Sequence, residues 1–182
     1  QAVTEAHRCL DCKKPTCVQG CPVNINIPGF IKQLELGNIL AASEVIKQSS
    51  TLPAVCGRVC PQEKQCEAQC IHIKMGHEPV AIGYLERFVA DNAYALDTNV
   101  SKTIQQPNTI NAKRIAVVGS GPAGLAFAGD MAKLGYTVTV FEALHEIGGV
   151  LKHGIPEFRL PNSVVDQEIE GRRQLGADFK TA

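Results

Sequence analysis

The chain carries no excess of charge: 18 Lys and Arg balance 18 Asp and Glu, and the formal net charge is zero. A neutral chain leaves no basic footprint for a nucleic acid and no acidic tail, so no nucleic-acid partner is expected. Long apolar runs are missing too, and those present fall far short of the length that spans a bilayer. No membrane partner is expected. No basic-then-apolar segment opens the sequence as a secretion signal would. No general acid, base or nucleophile stands out. The five histidines, His7, His72, His77, His145 and His153, are scattered without metal-like spacing and read as surface or loop positions.

What the chain does have is cysteine, and all eight fall in two tight quartets. The first is Cys9, Cys12, Cys17 and Cys21, followed at once by Pro22. The second is Cys56, Cys60, Cys66 and Cys70, with Pro61 behind its second member. Without a secretion signal the expected compartment is reducing, the cytoplasm, where disulfides are disfavoured and metal binding is the better reading. Clustered thiolates with Cys-Pro endings are a common way to hold iron–sulfur clusters, and eight sulfurs could supply two 4Fe–4S centres. In ferredoxin-like runs the fourth cysteine ligates the other cluster. On that pattern Cys9, Cys12 and Cys17 hold one cluster, Cys21 crosses to the second, and the second quartet swaps likewise. Structural zinc in two four-sulfur sites is the alternative.

A third motif lies further on. Arg114-Ile-Ala-Val-Val-Gly-Ser-Gly-Pro-Ala-Gly124 reads as a strand running into a glycine-rich turn that opens a helix. Gly119 permits the tight turn, Gly121 lets the backbone approach a pyrophosphate, and Gly124 lets the helix lie close to the strand. The helix N-terminus supplies amide donors, with Ser120, Pro122 and Ala123 inside the turn. Glu142, eighteen residues past Gly124 at the end of the next strand, is placed to accept from ribose hydroxyls. This context fits a dinucleotide and does not by itself separate FAD from NAD.

The expected architecture is an α-helical iron–sulfur domain at 1–97, a linker at 98–111 rich in Thr, Asn and Gln, and an incomplete α/β Rossmann-like domain at 112–182. Helices are expected over 26–36, with Asn26 as cap and Gly37 as stop, over 38–49, over 78–94, over 122–134 and over 162–175. The second should bury Ile39, Leu40, Ala42, Val45 and Ile46; the third Val80, Ile82, Leu85, Phe88 and Val89. Strands are expected at 114–118, 137–141 and from 177. Two strands and the start of a third do not make a covered parallel sheet, so the chain reads as the N-terminal part of a longer protein.

Taken together, the cysteine spacings, Cys-Gly-Arg-Val-Cys-Pro, Ile82-Gly-Tyr-Leu-Glu-Arg-Phe88 and the glycine motif resemble the small (beta) subunit family of NADPH-dependent glutamate synthase. The same module is similar to the large subunit of NADH-dependent ferredoxin:NADP oxidoreductase, to sulfide dehydrogenase and to the N-terminal half of dihydropyrimidine dehydrogenase. The resemblance covers essentially the whole chain. It implies that one cluster takes Cys9, Cys12, Cys17 and Cys70. The other would take Cys21, Cys60, Cys66 and a fourth ligand, a glutamine in dihydropyrimidine dehydrogenase, whose position here is Glu86. Cys56 is then a bystander or a competing ligand. The resemblance also implies FAD on the glycine turn, with Gly148, Gly149 and Val150 along it and Arg159 nearby. Arg159 could instead pair with Glu157 or Asp166.

The implied function is an electron-transfer flavoprotein subunit. Hydride from NADPH or NADH, bound outside these residues, reduces FAD, and electrons leave through two 4Fe–4S clusters. The implied partner is the large catalytic subunit of a hetero-oligomeric oxidoreductase, as in glutamate synthase, or a ferredoxin. These residues alone are expected to be inactive. A ferredoxin:NADP oxidoreductase or sulfide dehydrogenase subunit is the alternative within the class. A non-enzymatic, metal-stabilised docking module is the alternative outside it.

Overall fold

Local signals in the sequence become helices where capping chemistry and apolar spacing agree. In the computed structural model, which describes residues 1–96 and 111–182, the clearest case is α3, Ile27–Glu35. The Asn26 side chain accepts from Gly29 N at 3.1 Å, Pro28 stands in the first turn, and Gly37 follows with φ +78°. Ile27, Phe30, Ile31 and Leu34 recur at helical spacing and are all buried. Helix α4, Ile39–Lys47, buries Ala42 and Ile46 but leaves Leu40 exposed, unlike the expected face. Helix α7, Ile82–Leu96, starts four residues later than the sequence pattern suggested. Pro79 and Val80 stay outside it, in neither helix nor strand.

The chain falls into two compact units. In the first, α3, α4 and α7 enclose a core of Phe30, Ile31, Leu34, Ile46, Leu85 and Val89. Burial of each such side chain contributes about 1.5–3 kcal/mol before entropy is charged against it. Cys66 and Cys70 belong to the same core, and Cys9, Cys17 and Cys21 lie against its edge. These five cysteines are thus anchored on the core. Shorter elements surround them: α1, Ala2–Ala6; α2, Thr16–Gln19; α5, Pro53–Val59; two 3-10 turns, Gln62–Lys64 and Glu67–Gln69; and α6, Ile71–Lys74. None of these short pieces has the length to show periodicity in the sequence.

The second unit is a parallel sheet in the order β1-β2-β3, formed by Asn111–Val118, Tyr136–Glu142 and Ala177–Thr181. Val117 pairs with Val140, and Val140 with Phe179. Val138 and Val140 of β2 are fully buried, as a central parallel strand covered by helices requires. Helix α8, Pro122–Lys133, places Leu125, Ala128 and Ala132 in the interior, and α10, Asn162–Gln174, adds Val165 and Ile169. Buried Arg172 of α10 donates to Leu125 O at 3.1 Å and pairs with Glu168, which ties α10 to α8. The short α9, Val150–His153, lies between β2 and α10. The expected linker, 98–111, lies outside the described residues apart from Asn111, which opens β1. Among the described residues no helix is long and apolar enough to cross a membrane.

Candidate cluster and dinucleotide sites

The two quartets do not stay together in space. Cys9, Cys12, Cys17 and Cys70 line one cavity, with Ile27, Pro28 and Ile31 of α3 behind them and His72 at the side. Its empty volume is about 380 Å³, open mouth included. Arg8 O contacts His72 Nε2 at 2.8 Å, and Thr16 Oγ1 donates to Gln69 O, so the two cysteine loops are stitched across the cavity. His72 is therefore half-buried at the site and not a plain surface residue.

The remaining members gather elsewhere. Cys60 feels the charges of Glu86, Cys66 and Cys21, and Cys66 feels those of Glu86 and Cys21. Glu86 on α7 is only 6% exposed. A carboxylate that far inside is costly unless it meets a donor or a cation. Cys56 lies one turn before Cys60, its sulfur within hydrogen-bonding reach of the Cys60 sulfur.

Several residues with no evident role in the sequence make these approaches possible. A Cβ at Gly57 would sit 2.7 Å from Arg87 N and 2.8 Å from Arg87 Cα, so α5 crosses α7 at a point only glycine allows. That crossing brings the Cys56–Cys60 turn against the Glu86 segment. A Cβ at Gly20 would lie 2.6 Å from Gln65 O, and glycine there lets Cys21 approach the Cys66 turn. Glu67 accepts from Gly83 N at 3.0 Å, and Glu5 from Ala81 N at 2.9 Å, anchoring the start of α7 on both sides. Tight glycines and buried caps could have been suspected only with the fold in hand.

The thiols are unequal. Burial pushes the Cys17 thiol up to about 11 and the Cys66 thiol up to about 12; Cys9 is raised by the same cause. Cys60 moves the other way, because the Cys56 thiol donates to it. Buried thiols that resist ionisation are costly as bare thiolates, and coordination to a metal is what offsets that cost. The thiols of the first set surround a cavity. Among the described residues no three Cys, His, Asp or Glu groups converge as a single metal ion needs. Grouped cysteine thiols are the donor set that iron–sulfur clusters take.

In the second unit the glycine turn has its own internal logic. Gly119, at φ +93°, donates to Phe141 O at 2.8 Å and turns the chain off β1. A Cβ at Gly124 would be 2.1 Å from Gly119 O, and one at Gly149, 2.9 Å from Gly121 Cα. Those two glycines close the turn onto α8 and onto the Gly148-Gly149 loop. At Gly121, by contrast, a Cβ meets nothing within 4 Å. The bare side of Gly121 faces open space at the N-terminus of α8, where a phosphate can approach backbone amides. The residues present fit a dinucleotide.

Ser120 links the pieces. Its side chain is fully buried; the hydroxyl donates to Glu142 Oε2 and accepts from Gly148 N at 2.9 Å. Glu142 Oε2 also accepts from Ser120 N at 2.9 Å, and Oε1 from Leu144 N at 3.0 Å. These bonds, the Ser120 hydroxyl first, hold the Glu142 carboxyl down at about 2. Most of its acceptor capacity is thus used by the chain itself. Ser120, Gly121, Gly148, Gly149, Val150 and Glu142 come together, with Pro122 and Ala123 in the first turn of α8. Arg159 is exposed in the turn after α9. Its two alternative partners are engaged elsewhere, Glu157 by Asn162 N and Asp166 by Lys152.

Comparison with known proteins agrees with this division. Residues 1–98 match the family described as dihydropyrimidine dehydrogenase domain II, 4Fe–4S cluster, and residues 117–166 match the NAD(P)-binding Rossmann-like domain. The chain belongs to the dihydropyrimidine dehydrogenase domain II family, with a helical 4Fe–4S domain followed by a Rossmann-like one. Among its relatives is the NAD-dependent dihydropyrimidine dehydrogenase subunit PreT of Salmonella typhimurium, 39% identical over 98% of this chain and 42% of that protein. The glutamate synthase [NADPH] small chain of Halomonas elongata is 39% identical over 98% of this chain and 37% of its own length. A putative oxidoreductase of Escherichia coli, UacF, is 41% identical over 98% and 28%. The chain spans about two fifths of the length of the first two relatives.

Proposed function

We propose that this chain is the electron-exit and flavin-binding portion of an NAD(P)H-dependent oxidoreductase subunit of the kind that the small chain of NADPH-dependent glutamate synthase represents. The observation that carries the reading is the sorting of the thiols into two sets drawn from both quartets. Cys9, Cys12, Cys17 and Cys70 around one cavity would hold one 4Fe–4S cluster. Cys21, Cys60, Cys66 and Glu86, grouped by their mutual charges, would hold the second. When bound, FAD takes up an electron pair as hydride and the clusters pass electrons on singly.

This chain's own residues do the positioning. The α3 wall of Ile27, Pro28 and Ile31 excludes water from the first set. The Gly57 crossing presses Glu86 towards Cys60 and Cys66. Gly121 and the first amides of α8 would receive the FAD pyrophosphate. Gly148, Gly149 and Val150 would border it, and Arg159 would reach it from the exposed turn. Glu142 sets the turn through Ser120 and keeps a lone pair for the ribose. The nicotinamide site would lie outside these residues, and the electron acceptor would be a large catalytic subunit or a ferredoxin.

The test is composition and spectroscopy of anaerobically produced protein. The expected content is about eight iron atoms per chain with matching acid-labile sulfide. Glu86→Ala is expected to lose or shift one cluster's electron paramagnetic resonance signal and to leave the other intact. Two zinc ions and no labile sulfide would overturn the reading in favour of a metal-stabilised docking module.

A further inference from the structure

Cys56 has no place in either ligand set, yet its position is closely defined. It sits on α5, where Cys60 N donates to Cys56 O at 3.1 Å, so the two side chains emerge four residues apart on one face. The Cys56 sulfur reaches the Cys60 sulfur. From behind, buried Ser50 directs its hydroxyl at Cys56 Sγ from 4.0 Å. Gln62 Nε2 donates to Cys56 O at 3.0 Å, and the neighbouring Gly57 is locked against Arg87. Cys21, Cys66 and Glu86 approach Cys60 from other elements.

We propose that Cys56 is a positioning residue for the second cluster, its thiol donating a hydrogen bond to Cys60 Sγ and thereby making that cluster easier to reduce. The inference rests on the cluster reading above. A sulfur that accepts the Ser50 hydroxyl keeps its own proton for another acceptor, and Cys60 Sγ is the acceptor in reach. Reduction adds negative charge to the cluster, and part of it falls on the ligating sulfurs. A donor aimed at one of them stabilises the reduced form more than the oxidised one and raises the midpoint potential. The chain Ser50 to Cys56 to Cys60 would hold one centre above the potential its burial and its carboxylate ligand would otherwise give. It would set the two clusters apart in potential without any change in their thiolate count.

The experiment is a redox titration of the anaerobic holoprotein followed by electron paramagnetic resonance, for wild type, Cys56→Ala, Cys56→Ser and Ser50→Ala, with iron and labile sulfide measured on each. Cys56→Ala is expected to keep both clusters. The reduction equilibrium of one should fall about threefold to tenfold, roughly 30–60 mV at about 59 mV per tenfold. Cys56→Ser, which keeps a donor, should return most of that shift, and Ser50→Ala should move the same midpoint the same way by less. An unshifted midpoint in Cys56→Ala overturns the proposal. So does loss of one cluster from it, which would make Cys56 a ligand. Should that variant fail to fold, Ser50→Ala decides: its midpoint falls or the proposal fails. Wild type lacking iron and sulfide would overturn the cluster reading itself, a different failure from an unshifted midpoint.

Discussion

Gly57→Ala tests whether the α5–α7 crossing is what brings the carboxylate to the thiols. The added methyl would stand 2.7 Å from Arg87 N, whereas ordinary contact begins near 3.4 Å, so the helices must part by about 0.7 Å. Because the obstacle is backbone, no side-chain rotation relieves it. Overpacking of this kind costs about 1–3 kcal/mol. The intrinsic preference of a helix for Ala over Gly returns about 1 kcal/mol. The net destabilisation is therefore small, roughly 0–2 kcal/mol, and the unit should still fold. The local effect is larger in proportion. Glu86 precedes Arg87, and if Glu86 is a cluster ligand as proposed, a displacement of about 0.7 Å exceeds the tolerance of about 0.2 Å within which metal–ligand distances are held. The expected outcome is near-normal urea stability with one paramagnetic signal diminished or shifted and the other at full intensity. Gly171→Ala in α10 is the control, since a Cβ there meets nothing within 4 Å. Full intensity of both signals in Gly57→Ala would refute the reasoning.

Two further outcomes are expected in the second unit. Gly121→Val should leave the fold intact, since nothing in the chain lies within 4 Å of the new Cβ, yet abolish FAD binding in the full-length protein. Stoichiometric flavin in that variant, read from its absorbance, would misplace the pyrophosphate. Glu142 should titrate near 2 in a carbon-13 carboxyl NMR experiment, and Ser120→Ala should move its midpoint up towards 4.5. Because the folded value is depressed, its contribution to stability is complete above about pH 4.5 and is lost as pH falls through about 2. A wild-type midpoint near 4.5 would mean that the Ser120 and Leu144 bonds do not hold in solution.

Much of the architecture was written locally. Asn26, Pro28 and Gly37 bracket α3 because capping and helix-stop chemistry act over a few residues. The strand, glycine turn and helix from β1 to α8 follow for the same reason, as does the acidic end of β2. The cysteine quartets announced metal chemistry through spacing alone. Leu40, expected inside, faces solvent, because periodicity places a stripe on a helix without fixing how wide a stripe its neighbours cover.

Which residues meet across the chain was decided by tertiary structure. Cys70 joins Cys9, Cys12 and Cys17 in one cavity although more than fifty positions separate it from Cys17. Glu86 comes near enough for its charge to act on Cys60 and Cys66 because Gly57 lets two helices cross at a distance no other residue permits. Ser120 became a buried strut between Glu142 and Gly148 only when β2 and the Gly148 loop closed over the turn. Sequence fixes what lies within one turn or one strand, since backbone bonding there is short-ranged. Contacts between distant segments depend on the packing of whole elements, and a single missing Cβ can set them.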